Sequence, residues 1–229
     1  MAQIVVTGAN RGIGLALVRE YARRGDDVLA LCRSPDDAED LHEIRKTTSN
    51  RVQLGAIDIG EAESIEKAAK LSKGPVDVLI NNAGTSGGLH QSLDDIEYEA
   101  WMDAFRVMAI GPFRVVKAFL PALEKAKGAK VMSVSSALSS SVWPHGGRYI
   151  YASAKAAGNR IMQILARDLR HKGISVAYIH PGWVQTEMGG PNAEIPPAES
   201  AKGISNVIDR LGLEDSGKFF KWTGEIHAF

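Results

Sequence analysis

Gln3-Ile4-Val5-Val6-Thr7-Gly8-Ala9-Asn10-Arg11-Gly12-Ile13-Gly14 is the stretch whose reading decides the fold. Its first half is a short run of β-branched residues, which reads as a buried strand. Its second half spreads three glycines, Gly8, Gly12 and Gly14, over a turn that opens a helical pattern. Glycine lets the backbone turn tightly and come close to a pyrophosphate, while the helix N-terminus faces that charge. The spacing is TGxxxGxG rather than GxGxxG, and a glycine-rich turn that binds nothing is the alternative reading. The strand before it and the helix after it favour a dinucleotide turn, with Asn10, Arg11 and Ile13 carried beside the glycines.

Working outward, short β-rich runs alternate with longer helical ones along the whole chain. The runs predict strands over Gln3–Thr7, Asp27–Cys32, Arg51–Asp58, Val76–Asn81, Lys130–Ser135, Ser175–His180 and Lys218–Trp222. Helices are expected over Gly12–Arg24, Pro35–Thr48, Ala62–Leu71, Asp94–Leu120, Tyr149–His171 and Ala198–Leu211, the fourth kinked at Gly111-Pro112. This alternation reads as βαβ units and a parallel sheet of about seven strands. The fold class is therefore α/β: a Rossmann-type, doubly wound domain with helices on both faces. No repeat or linker divides it, so residues 1–229 are read as one domain. Gly182–Pro197, rich in Gly and Pro after a strand, reads as a substrate loop, either a mobile lid or a rigid surface loop.

The bulk numbers bound the function. At 229 residues the chain is long enough to bury a substantial core. Its 27 basic and 27 acidic residues balance, so no overall field recruits nucleic acid or an acidic membrane. Cys32, the only cysteine, cannot form an internal disulfide, which suits a reducing cytoplasm. The strand-like run begins almost at once, so no signal peptide is expected. No apolar run approaches the length of a membrane span. The six histidines include no HxxxH or HxH pair, and no metal site is expected.

The end of the second strand bears on which dinucleotide fits. An NAD site wants an acid roughly 20 residues beyond the glycines, on the ribose hydroxyls. Here the strand ends Ala30-Leu31-Cys32-Arg33. Asp36 and Asp37 are explained otherwise, as first-turn acids of a helix with Ser34 at its N-cap and Pro35 at N1. Arg33 and Arg11 could grip a 2′-phosphate, since guanidinium groups suit phosphate geometry; two solvated surface arginines are the plain alternative. NADP(H) is favoured over NAD. Asp58-Ile59 could accept the adenine amino group, or Asp58 could cap the next helix. In Asn81-Asn82-Ala83-Gly84 the Asn side chains could stitch neighbouring strands while Ala83 and Gly84 let the backbone approach a ribose.

Tyr151-Ala152-Ser153-Ala154-Lys155 supplies the chemistry. Residues i and i+4 share a helical face, so the phenol and the ammonium enter the same space. Bringing a phenol from a pKa of roughly 10 towards 7 takes roughly 4 kcal/mol in favour of the phenolate. A neighbouring cation supplies part of that, and a positively charged nicotinamide could supply more. Tyr149 is rejected, because its i+4 partner, Ser153, carries no charge.

These motifs, with Pro181-Gly182 after a strand, stand in the order of the short-chain dehydrogenase/reductase family. The chain resembles its classical branch from end to end. His180 to Gly190 and Asp215-Ser216-Gly217 resemble more narrowly the C-factor-like and carbonyl-reductase-like members. The resemblance implies that Tyr151 is the general acid for a carbonyl oxygen, or the base in reverse, and that Lys155 lowers its pKa and holds the nicotinamide ribose. Val134-Ser135-Ser136 offers two serines for the substrate oxygen, and the family pattern selects Ser136. The resemblance also places Thr186 on the nicotinamide amide and Pro181, Gly182 and Val184 beside its ring. It implies a small ketone, aldehyde or alcohol as substrate and a homodimer or homotetramer. For that assembly the small-residue helix Tyr149–Asn159 could provide close contact, an intrachain contact being the alternative.

One departure stands out. The family carries an asparagine in the fourth helix that keeps a water-mediated proton relay to the lysine, and this chain has Met108 there. Methionine is a weak acceptor and no donor. The expectation is a weakened enzyme, with a nucleotide-binding regulatory or signalling protein on the same fold as the rival. Trp143 and Trp183 flank the expected pocket, where they could wall an apolar substrate or pack in the core.

Overall fold

Strand sequences such as Ile4-Val5-Val6 and Val28-Leu29-Ala30-Leu31 are apolar at consecutive positions because both faces of their sheet are covered. The structure, a computed structural model, describes all 229 residues. Its strands are β1 (Gln3–Thr7), β2 (Asp27–Cys32), β3 (Val52–Ala56), β4 (Val78–Asn81), β5 (Lys130–Val134), β6 (Ser175–His180) and β7 (Phe219–Lys221). They form one parallel sheet in the order β3-β2-β1-β4-β5-β6-β7. Helices α1 (Gly12–Arg24), α2 (Glu39–Thr47) and α7 (Pro197–Arg210) pack on one face, around Val6, Leu17, Ile80 and Ile204. Helices α3 (Ala62–Ala69), α5 (Gly111–Leu123) and α6 (Tyr149–Asp168) cover the other, around Val5, Leu79, Phe119 and Tyr178. A shorter helix, α4 (Tyr98–Phe105), leans on α6.

The strand order reverses between β1 and β4, and this opens the crevice in which such sheets bind ligands. Each loop that leaves the carboxyl end of β1, β4, β5 or β6 therefore rises on the same rim. The glycine turn, the Asn82-Ala83-Gly84 turn, Ser136 and the segment after His180 are all delivered there.

Element boundaries differ from expectation in three informative places. The second helix starts at Glu39 with Ala38 as its N-cap, not at Pro35. Pro35 to Ala38 instead make a turn closed by Ala38 N–H on the Pro35 carbonyl at 3.2 Å, since Pro and Asp form turns as readily as helix starts. Asp36 and Asp37 therefore owe nothing to a helix first turn; they are set apart from the cofactor question only by lying beyond Arg33. The long fourth helix is divided. A π-helical stretch, Arg106–Ile110, separates α4 from α5, so the irregularity lies before Gly111 rather than at it. Pro112 lacks the N–H that the Met108 carbonyl would meet in an α-helix, which displaces the ladder. Asp94 falls in the turns ahead of α4, and α6 ends at Asp168 before a separate 3-10 turn, Arg170–Lys172.

Candidate active site

The two turns over the crevice are joined by side chains. Thr7 Oγ1 accepts the Asn82 and Ala83 N–H groups, each at 3.1 Å. Asn82 Nδ2 donates to the carbonyls of Thr7 and Gly8, each at 3.0 Å, which is the stitching expected of an Asn turn. The chains approach so closely that side chains are excluded. Gly8 sits at φ +66°, and a Cβ there would lie 2.8 Å from Ala83 Cα; one at Gly14 would lie 2.1 Å from the Gly8 carbonyl oxygen. Helix α1 then begins without a side-chain cap and with no acid in its first turn, so its leading N–H groups remain for an anion. Uncapped donors over a side-chain-free turn fit a dinucleotide pyrophosphate.

The residues read as cofactor contacts are not all equally free. Arg33 is exposed at the end of β2 and makes no ion pair. Arg11 is committed: it donates to Glu187, a residue of the segment after β6 that the sequence reading did not single out. Asp58 accepts Gly60 N–H at 2.8 Å, and the helix that follows takes Glu61 as its N-cap. Asp58 thus holds its own turn rather than capping α3, while Ile59 is buried beneath it.

Tyr151 and Lys155 lie one turn apart on α6 and face the crevice together, with Lys155 Nζ 5.9 Å from the Tyr151 ring centre. Tyr149 is on the exposed side. Of the two serines after β5, Ser135 is occupied, donating to Asn159 Oδ1 at 2.6 Å. Ser136, buried just past the end of β5, lies near enough to the Tyr151 phenol to oppose the rise of its pKa. The structure thus brings Ser136, Tyr151 and Lys155 together.

Three supporting residues escaped the sequence reading. Buried Gln91, in the loop after β4, accepts Tyr151 N–H on Oε1 at 3.0 Å and donates to the Ser86 and Gly88 carbonyls at 2.9 and 2.7 Å. It caps a helix whose own N-cap residue, Arg148, offers no side-chain bond. Asn159, one turn beyond Lys155, ties Ser135 to Ser139. His180 accepts Ala137 N–H on Nδ1 at 3.2 Å and so braces the residue after Ser136. Burial, with His227 and Lys221 nearby, pushes its pKa down to about 4, so it is neutral at pH 7. His180 opens a segment quoted above but has no role there, and Gln91 and Asn159 lie in no motif.

The electrostatics correct one expectation. Burial raises the Tyr151 phenol above its ordinary pKa, and Ser136 and then Arg148 oppose that rise only in part. Lys155 Nζ donates to the Val134 carbonyl at 2.7 Å and is itself buried, with no carboxylate against it. Burial pushes its pKa down to about 8.

Gly182–Pro197 is a hydrogen-bonded loop. Trp183 O receives the Glu194 and Ile195 N–H groups at 3.0 and 3.1 Å, Gln185 N–H meets Ile195 O at 2.9 Å, and Trp183 Nε1 donates to Gly189 O at 2.8 Å. Pro181 is tied to α7 by Ser200, 2.6 Å from its carbonyl. Gly182 has φ +88°, and Val184 is buried against Ile195. Thr186 reaches back over α1: a Cβ on Gly12 would lie 3.1 Å from its methyl. Around the rim, Leu89, Leu93, Val142, Trp143, Trp183 and Met188 expose large apolar surfaces, so both tryptophans are rim residues rather than core.

Met108 is buried on the π stretch, and a Cβ at Gly84 would lie between its sulfur and Lys155 Nζ, 3.7 and 3.6 Å away. Gly158 of α6 packs on the Met108 carbonyl, where a Cβ would stand 2.7 Å off. At this position the small-residue face of α6 serves an intrachain contact.

A lysine whose folded pKa lies below its unfolded value makes the unfolded chain bind more protons between the two, so stability rises with pH from about 8 to 10.5. Lys155→Met should therefore stabilise the nucleotide-free protein at pH 7 by up to about 3 kcal/mol, at about 1.36 kcal/mol per pH unit. The gain should fade as the pH passes 8. Urea unfolding at pH 7 and pH 10 measures it, and an unchanged or lower midpoint at pH 7 would show that the charge is not costly.

Comparison with known proteins shows the family. The family model for short chain dehydrogenase matches residues 2–195. The C-signal of Myxococcus xanthus is 44% identical over 158 residues, 69% of this chain and 95% of that protein. The solved structure of an NADPH-bound carbonyl reductase from chicken fatty liver superposes with a TM-score of 0.92 at 30% identity, covering 100% of this chain and 99% of the other. The carbonyl reductase Sniffer of D. melanogaster gives a TM-score of 0.92 at 29% identity, with all of both chains covered. With its strand order, glycine turn and Tyr151/Lys155 helix in place, the chain belongs to the short-chain dehydrogenase family.

Proposed function

We propose that the protein is an NADP(H)-dependent carbonyl reductase, working in reverse as an alcohol dehydrogenase. The observation that carries this reading is the convergence of Ser136, Tyr151 and Lys155 on the crevice that the glycine turn borders. The cofactor supplies a hydride to the carbonyl carbon when bound. Ser136 and the Tyr151 phenol would hold the carbonyl oxygen, and Tyr151 would donate its proton as charge develops there. A buried phenol with a raised pKa is protonated at pH 7, as an acid must be. Lys155 would hold the nicotinamide ribose, Thr186 the amide, and Pro181, Gly182 and Val184 the ring's flank. Asn10, Gly12, Ile13 and Gly14 would line the pyrophosphate, with Asp58 and Ile59 at the adenine and Ala83 and Gly84 at its ribose. The apolar rim supports a substrate with a substantial hydrophobic part. Phe113 and Ile164, left exposed on α5 and α6, support pairing of copies.

The NADPH-bound neighbour supports the cofactor preference, and so does unpaired Arg33. Arg11 would leave its exposed pair with Glu187 to join Arg33 in a 2′-phosphate clamp, at a cost of at most about 1 kcal/mol.

A second reading, a nucleotide-binding regulatory protein with little turnover, is favoured by Met108 and by the likeness to the C-signal.

Three measurements test these readings. Tyr151→Phe should lower NADPH consumption on a panel of ketones and aldehydes by at least about a hundredfold, the scale of lost general acid catalysis; undiminished activity would remove Tyr151 from the role. Arg33→Ala should weaken NADPH about tenfold or more, roughly 1.4 kcal/mol, and NADH much less; equal losses would count against a 2′-phosphate contact. Met108→Asn should change turnover little if the parent is an active reductase, whereas a large gain would favour the regulatory reading.

A further inference from the structure

Leu79 and Val131 lie side by side on the sheet face covered by α5 and α6, and two residues on, the same face carries Asn81 and Ser133 in direct register. The apolar stripe thus ends in a buried polar pair, at the level where Lys155 reaches the Val134 carbonyl. Asn81 is only 4% exposed. Its Nδ2 makes long contacts to Pro112 O and Ser133 Oγ, at 3.4 and 3.5 Å, and its carbonyl oxygen is buried without any hydrogen-bond partner. Beside it is a cavity of about 20 Å³ lined by Asn81, Met108, Ser133, Ser135, Lys155 and Asn159. One water needs about 10–15 Å³ of such space and two to four polar partners.

The partners are countable. Asn159 accepts from Ser135 and donates to Ser139, which leaves its second N–H free. Met108 has no amide to offer. Lys155 has three N–H groups, of which Val134 takes one. A water could accept a second and donate to Asn81 Oδ1 and Ser133 Oγ, giving the orphaned carbonyl the partner that buried polar atoms almost always have.

We propose that this cavity is a fixed-water site, and that through its water Asn81 is a positioning residue for Lys155, in place of the side-chain amide that Met108 lacks. The proposal rests on the reductase reading for its catalytic meaning. Few titratable groups bear on Lys155. Tyr151 shares its helix, and Arg148 acts on Tyr151 from the same turn. The cavity walls supplied by β4, β5 and the π stretch carry no side chain that titrates.

The test is a crystal structure of the parent at a resolution that shows ordered water, with Lys155 titrated by NMR in carbon-13-lysine-labelled, nucleotide-free protein. Expected are a water within hydrogen-bond distance of Lys155 Nζ and Asn81 Oδ1, and an Asn81→Leu variant whose Lys155 titrates lower by about half a pH unit or more. Asn81→Asp, which restores an acceptor and adds charge, should titrate higher than the parent. A dry cavity in the parent overturns the proposal, and so does a folded Asn81→Leu in which Lys155 titrates unchanged. Should that variant fail to fold, the parent cavity decides. The reductase reading fails separately: a Tyr151→Phe enzyme with full activity would sink it and leave the water site standing, whereas a dry cavity in a Tyr151-dependent enzyme would sink only the water site.

Discussion

A buried ammonium anchored on a strand-end carbonyl organises the site. Lys155 reaches Val134 across the top of β5, and that contact joins α6 to the sheet at the rim. Everything the chemistry needs is measured from it. Tyr151 lies one turn earlier on the same face, Ser136 lies two residues past Val134, and the Asn82-Ala83-Gly84 turn passes close to its Nζ. Removing a cation from water without an opposite charge is unfavourable. The fold accepts that cost where most lysines would stay solvated, and sites that do so are candidates for function. Burial likewise raises the pKa of the Tyr151 phenol, so it holds its proton at neutral pH.

A second organising feature is the exclusion of side chains between β1, α1 and β4. Gly8 and Gly14 leave no room for a Cβ, and Thr7 and Asn82 fasten the two turns across the switch point of the sheet. The crevice is therefore rigid at its floor. Its roof, by contrast, is held to the floor by an exposed Arg11–Glu187 pair and by Thr186 resting on Gly12. An exposed pair of this kind contributes at most about 1 kcal/mol. The loop is thus well bonded within itself and lightly fastened to the cofactor turn.

Much of this was legible in the residues. Alternating apolar runs and glycine spacing were enough for the sheet, because strands buried on both faces leave an unmistakable apolar record. The i, i+4 relation of Tyr151 and Lys155 was equally plain, and so was their order relative to Ser136. What stayed hidden depends on contacts between distant segments. Gln91 capping Tyr151, Glu187 engaging Arg11 and Asn81 left with an unpaired carbonyl have no local signature. The second helix misled because Ser34-Pro35-Asp36 suits a turn and a helix start alike. The fourth misled because a missing N–H at Pro112 disturbs the helix upstream, toward Met108, rather than where the proline stands. The phenol's pKa was misread because spacing shows that two side chains share a face but not how deeply each is buried.

The most direct measurement of the central claim is proton uptake on NADPH binding, by calorimetry near pH 9 in buffers of different ionisation enthalpy. If Lys155 is held near pKa 8 by burial and regains its proton against the bound nucleotide, binding takes up a large fraction of a proton at pH 9. Uptake should be far smaller at pH 7, where Lys155 is protonated with or without nucleotide, and absent at pH 9 in Lys155→Met. Binding without uptake at pH 9 would contradict the account, because Lys155 would then either not be suppressed by burial or not be restored by the ligand.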